Sequence, residues 1–218
     1  GFKTRPYSRL NWYLYPLIED KGLRFELPYQ ERYFRMGKEL ANRLHETGVD
    51  WWDRQLAEYT PLPQWHNLEK LWDELIEKNH DVKAADYPYW LLTGRSMQYA
   101  WGANVGIQLM KEVADNVFGH DGVIMNAGRA KEMGIENGEI IEVTSPIAST
   151  RGIACLREGV RPDVVVMLAQ FGHWKTPYAK EMKRPSLNKL VPMNQDYIDG
   201  GGASIDGTKV FIKKVGAA

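Results

Sequence analysis

The chain is short of several things. It has one cysteine in 218 residues, so no internal disulfide can form. That residue, Cys155, sits in the apolar run Gly152-Ile153-Ala154-Cys155-Leu156 and reads as a small buried strand residue. Neither charge is in excess, since 28 Lys and Arg balance 28 Asp and Glu. That balance argues against a broad basic nucleic-acid surface, though it leaves room for a local basic pocket. No apolar run approaches the length of about 18 residues that a membrane-spanning helix needs, which points away from direct membrane insertion. His45, His66, His80 and His120 lie far apart and show no zinc spacing. Gly200-Gly201-Gly202 is followed by no Lys-Ser/Thr, so it reads as a bend and not a nucleotide loop.

What is present has an ordinary composition, 44% hydrophobic and 26% charged, and a length that suits one large domain or a domain plus an arm. The chain begins GFKT, without Met, which reads as a processed product or a piece of a longer chain. Seven of the eight tryptophans and nine of the eleven tyrosines fall within residues 1–101. Such a concentration fits an arm that packs on something else, or rings that fill a small core of their own. Residues 31–58 read mostly as helix, with Tyr33, Met36, Leu40 and Leu44 at helical spacing and Gly48 as the stop. Asn67 is placed to cap a second helix, with Leu68, Leu71, Trp72 and Leu75 on one face. Residues 1–87 are therefore read as a lead-in arm with helices.

From residue 88 the texture changes. Tyr89 to Leu92, Val123 to Met125, Ile140 to Val143, Gly152 to Leu156, Val164 to Leu168 and Lys209 to Val215 read as short strands. Val105, Leu109, Val113 and Val117 mark a helix stopped by Gly119. The expected architecture for residues 88–218 is mainly β, a compact barrel with inserted helices.

Four stretches can carry chemistry. Thr93-Gly94-Arg95-Ser96 ends a strand with a hydroxyl, an open backbone N–H and a guanidinium, a set that suits a phosphate. The plain alternative is a strand-end turn with an exposed arginine. Asn126 offers an amide that reads a base or pterin edge, and Arg129 a charge for a phosphate or a guanine O6/N7 edge. Equally, Asn126 serves as the cap of a helical turn from Ala127 to Met133 that Gly134 terminates. His173, in Gln170-Phe171-Gly172-His173-Trp174, lines a cofactor or substrate channel or is a surface or hydrogen-bonded core histidine. Asn188, in Ser186-Leu187-Asn188-Lys189-Leu190, and the segment Asn194-Gln195-Asp196 either hold a polar heterocycle or cap ordinary turns.

The order of LLTGRS, MNAGRAKEMGIENGEIIEVTSP, RPDVVVMLAQFGHW, SLNKL and KVFIKKV resembles the C-terminal part of the molybdopterin oxidoreductases of the dimethyl sulfoxide reductase family. The resemblance implies a double-psi β-barrel that closes over bis-(molybdopterin guanine dinucleotide) carrying molybdenum or tungsten. By position, Thr93, Gly94, Arg95 and Ser96 match the turn that approaches the cofactor, Asn126 a residue near a guanine nucleotide, and Asn188 a loop position near a pterin. The family pattern Asn-Pro-x-Asp-Ala has Pro and Asp where this chain has Ala127 and Arg129. An arginine cannot accept hydrogen bonds from guanine N1–H and N2–H.

YPYWLLTGRSMQYAWGANVG and FGHW are similar to the large subunit of phenylacetyl-CoA:acceptor oxidoreductase, which implies oxidation of a phenylacetyl-CoA-like thioester. The alternatives are a respiratory sulfur or arsenic oxyanion reductase, and a cofactor-free barrel that binds protein. No metal ligand or cysteine cluster is readable. The resemblance therefore places the metal site on the remainder of the catalytic subunit or a partner chain, and the iron–sulfur cluster on an electron-transfer subunit. The chain by itself is expected to be inactive. The cofactor reading expects Arg95, Ser96, Asn126, Arg129 and Asn188 to converge on one concave face.

Overall fold

Six runs rich in Val, Ile and Leu become six strands: β1 (Tyr89–Gly94), β2 (Val123–Asn126), β3 (Ile140–Thr144), β4 (Ser149–Arg157), β5 (Val164–Leu168) and β6 (Thr208–Lys214). The computed structural model describes residues 29–60, 65, 67–99, 105–117, 122–168, 184–193, 195–197 and 208–215. The strands close into a barrel in the order β1-β5-β2-β4-β3-β6. The pairs β1–β5 and β2–β4 are parallel, and the other four are antiparallel. The fold is a double-psi β-barrel. Strands β1, β3 and β5 run one way and β2, β4 and β6 the other. We call the end holding Gly94, Leu168, Thr144 and the starts of β2, β4 and β6 the upper end.

Period-two alternation fills the interior. Tyr89 and Leu91, Val123 and Met125, Ile141 and Val143, Val165 and Met167, Val210 and Ile212 are all buried in one core. Close packing also fixes two glycines. A Cβ on Gly152 would lie 2.8 Å from Val123 Cγ2, and one on Gly122 would lie 2.5 Å from the Ile153 carbonyl oxygen. Gly138 has φ +90°, as the Asn137-Gly138 turn requires, and Asn137 Oδ1 accepts from the Leu156 N–H at 2.9 Å.

The chain divides into two compact units, Gly1–His66 with Ile198–Ser204 and Asn67–Tyr197 with Ile205–Ala218. In the first, α1 (Tyr29–Glu46) stops where Gly48 takes φ +77° and the Val49 N–H returns to the Leu44 carbonyl at 2.9 Å. A second short helix, α2 (Asp53–Leu56), follows, and His45 Nε2 meets Asp53 Oδ1 at 2.7 Å. Trp51 is 58% exposed.

The sequence places the arm's end at residue 87, yet helix α3 (Leu68–Asn79) belongs to the barrel unit. The reason is packing. Trp72, Leu75 and Ile76 are buried with Tyr197, and Trp90 of β1 packs against them. Asn67 caps α3 as its position in the sequence implies, accepting from the Lys70 N–H at 3.1 Å. Leu68 is exposed, so it is not part of the buried face. The helix expected from Val105 to Val117 is shorter, α4 (Gln108–Ala114). Its expected stripe Leu109, Val113 and Val117 is exposed. Ala114 and Met110 pack instead, with Val105, Tyr99 and Leu168.

At the end of α3, His80 Nε2 is buried without a hydrogen-bond partner among the described residues, and its ring stacks on Tyr197 with centroids 6.2 Å apart. Burial pushes the His80 pKa below its ordinary 6.5. The folded unit holds the ring neutral where the unfolded chain takes up a proton. Stability is therefore full above pH 6.5 and is lost as pH falls from there through the lower folded value. Urea melts across that window are expected to show this slope, and His80→Gln to flatten it. Identical slopes in the two proteins would refute the assignment.

Candidate functional site

The lower end of the barrel is closed by helix α5 (Ala127–Glu132). Asn126 ends β2 and caps α5, accepting from the Arg129 N–H at 2.9 Å, while its Nδ2 donates to the Val160 carbonyl at 2.7 Å. Both ends of the amide are thus used inside the chain. Arg129 Nε donates to the Tyr89 hydroxyl at 2.9 Å, and Nη1 donates to Glu132 Oε2 at 2.6 Å. The Tyr89 hydroxyl donates onward to Met133 Sδ at 3.0 Å. The bond to Glu132 first, and then that to Tyr89, pushes the Arg129 pKa above its ordinary value. Nearby, Lys214 Nζ donates to the Gly134 carbonyl at 2.9 Å and pairs with Glu139 at 2.7 Å.

The upper end is different in kind. β1 delivers Thr93 and Gly94 there, followed by Arg95 and Ser96. Thr93 has the inward parity of Tyr89 and Leu91, yet it is exposed, because it stands at the mouth. Gly94 packs against β5. A Cβ on it would lie 3.0 Å from Val166 Cγ1 and 3.1 Å from Leu168 Cδ2. Arg95 is exposed. The Ser96 hydroxyl donates to Gln98 Oε1 at 2.7 Å and accepts from the Gln98 N–H at 3.1 Å, so it shapes the turn. Asn188 and Lys189 are exposed on a turn between two buried anchors, Leu187 and Leu190, joined by a 2.8 Å bond from the Leu190 N–H to the Leu187 carbonyl. This segment belongs to the upper end. Pro185 flanks Gly152, and the Ser186 N–H donates to Thr150 Oγ1 at 3.2 Å near the start of β4. Arg184 Nη2 reaches Asp115 Oδ1 at 3.4 Å, just past α4, and Lys111 pairs with the same carboxylate.

Strand register separates the two groups. Thr93 faces Met167 of β5, whereas Met125 faces Val165, with Asn126 one residue further down. Thr93 and Asn126 thus stand about three rungs apart, roughly 10 Å along the strand. The expected convergence of all the candidates on one face is corrected. β1 is parallel and β2 antiparallel to β5, so their C-terminal loops leave at opposite ends. Thr93, Gly94, Arg95, Ser96 and Asn188 share the upper end, while Asn126 and Arg129 share the lower. His173 and Asn194 lie outside the described residues.

One polar residue at the upper end escaped the sequence reading. Thr208 is fully buried, and its hydroxyl has no hydrogen-bond partner among the described residues. The sequence starts the last strand at Lys209. The inward alternation Thr208, Val210, Ile212 is the signal that extends it by one residue. Among the described residues no three His, Cys, Asp or Glu side chains gather as a metal-ligand set. What the upper end offers is hydroxyls, an amide and guanidinium charge, a set for binding an oxygen-rich anion.

Comparison with known proteins meets this geometry. The molydopterin dinucleotide binding domain family matches residues 89–204, more than half of the chain. The molybdopterin-containing subunit of arsenate respiratory reductase from Chrysiogenes arsenatis is 35% identical over 98 residues, 41% of this chain and 12% of that subunit. The chain therefore spans about an eighth of that relative. Acetylene hydratase from Pelobacter acetylenicus shares the fold at a TM-score of 0.53 and 14% identity, over 79% of this chain and 22% of that one.

Proposed function

This chain belongs to the molydopterin dinucleotide binding domain family, and from that premise we propose that it is the cofactor-binding C-terminal part of the catalytic subunit of a molybdopterin-dependent oxidoreductase. When bound, the pterin dinucleotide with its molybdenum or tungsten supplies the electron and oxygen-atom chemistry. This chain's own residues bind and orient it. The upper end fits such a group. Thr93, Arg95 and Asn188 stand exposed at that end, and the fully buried Thr208 hydroxyl has no hydrogen-bond partner among the described residues. Thr93 and Asn188 would hold oxygen or ring-nitrogen atoms by hydrogen bonds, and Arg95 would neutralise phosphate charge. Asn126 and Arg129 fit less well as readers of guanine, because their bonds are spent on the Val160 carbonyl, Tyr89 and Glu132.

The single observation that carries the reading is the family match over the whole span from β1 through the Asn188 turn. It weighs against a cofactor-free protein-binding barrel. The metal site would lie on the remainder of the catalytic subunit or on a partner chain, with an iron–sulfur subunit for electron transfer. For substrate, the likeness to an arsenate respiratory reductase subunit favours a respiratory oxyanion reductase. Nothing in the similarities supports phenylacetyl-CoA.

The test is to denature the native complex that contains this chain and assay what is released. Guanine nucleotide together with molybdenum or tungsten is the expected result. An intact, active complex that releases neither would reject the reading.

A further inference from the structure

We propose that the outward stripe of α4, formed by Leu109, Val113 and Val117, is the surface on which the remainder of the catalytic subunit packs beside the upper end of the barrel; this rests on the cofactor reading above. The stripe follows from helix geometry. Residues four apart fall within about 40° of one another around the axis, so these three share one face. The helical turn continues past α4, where the Val117 N–H donates to the Ala114 carbonyl at 2.8 Å. Leu109, Val113 and Val117 are 66%, 49% and 45% exposed. A second apolar stripe, Met110 and Ala114, packs with Leu168, Tyr99 and Val105. The two stripes stand about 100° apart around the axis. A surface helix of a finished domain has one apolar face, turned to its core, and polar residues opposite. α4 has two apolar faces, and this chain buries one of them.

Charge, position and size point to the occupant. The polar side chains beside the stripe bond to one another. Gln108 donates to Glu112 at 3.0 Å, Lys111 pairs with Asp115, and Arg184 reaches the same carboxylate at 3.4 Å. Two cations and two carboxylates thus balance in the rim. A balanced polar rim around an apolar centre suits packing against protein, whereas a helix that lies on an anionic membrane carries a basic rim. Leu168, beneath α4, faces Gly94 across the β1–β5 pair, so the stripe stands at the end that carries Thr93 and Gly94. In the arsenate respiratory reductase subunit the matched part is 12% of the length, so a domain of this kind is a small piece of a much longer subunit. The rest of that subunit meets the cofactor at the end this domain offers, and there it lies against α4. An apolar stripe of this kind marks such a contact.

The test puts a photo-activated benzophenone side chain at Val113 in the native complex. Cross-linked peptides are identified by mass spectrometry, and guanine nucleotide is assayed in the same preparation. The expected cross-link joins α4 to catalytic-subunit sequence outside these 218 residues. A cross-link to a second copy of this chain, to another subunit or to lipid would overturn the proposal, and so would the lack of any. Val113→Asp is expected to lower the yield of intact complex about tenfold or more, because a carboxylate has to enter a dry contact. Val113→Met is expected to keep the wild-type yield. Assembly of Val113→Asp at the wild-type yield would also overturn the proposal. A complex that holds nucleotide but gives no such cross-link rejects the docking surface alone. A complex without nucleotide rejects the cofactor reading, and this surface with it.

Discussion

Trp72→Ala is expected to destabilise the barrel unit by about 3–5 kcal/mol, the range for emptying a buried tryptophan site. Against a net stability of about 5–15 kcal/mol for a domain, that is a large share of the total. Trp72 is 1% exposed, and it packs edge-on against Trp90 at 6.4 Å and tilted against Tyr197 at 5.0 Å. It is the largest side chain of the cluster through which α3 packs on Trp90 of β1. Its loss leaves a cavity with no neighbour free to fill it, since Ile76 and Tyr197 are themselves fully buried. Urea denaturation of the alanine and phenylalanine variants checks this. Trp72→Phe keeps a ring against Trp90 and is expected to recover roughly half of the loss. A midpoint for Trp72→Ala within the error of wild type would refute the assigned contribution of Trp72. The effect reaches function through one strand, because Trp90 lies three residues before Thr93.

Asn126→Ala is expected to cost about 2–4 kcal/mol, from two separable losses. The first is the α5 cap, the 2.9 Å bond from the Arg129 N–H. The second is the 2.7 Å bond from Nδ2 to the Val160 carbonyl, which leaves that oxygen without this donor. Asn126→Asp keeps the first and replaces the second by a carboxylate facing a carbonyl, so it should fall between wild type and alanine. The measurement is the denaturation midpoint with and without bound cofactor. If the amide is spent on the fold, the alanine penalty is the same in both states. A penalty confined to the loaded state would instead place Asn126 at the nucleotide, as the family resemblance implies.

Much of this molecule is written locally. All six strands are legible as short runs rich in apolar residues, because side chains on a barrel wall must alternate between core and outside whatever their neighbours. The caps at Asn67 and Asn126, the stop at Gly48 and the turn at Gly138 are legible for a similar reason. Each is a transaction between a side chain, or a missing Cβ, and backbone within about four residues.

The face of α4 was not legible. Periodicity finds the stripe Leu109, Val113 and Val117, but which face is covered depends on where Leu168 and Tyr99 arrive from elsewhere in the chain. The burial of Thr208, whose hydroxyl has no partner among the described residues, was invisible for the same reason: a threonine at a strand start reads as ordinary until its neighbours in space are known.

The sequence by itself determined the barrel's strands, its turns, its family and the chemical types of the candidate contacts. Tertiary structure alone decided that Thr93, Arg95 and Asn188 stand toward one end of the barrel while Asn126 and Arg129 stand at the other. The direction in which a strand is inserted is set by pairing with residues distant in the chain. Reversing that direction moves a loop from one end of the barrel to the other without changing a single local preference.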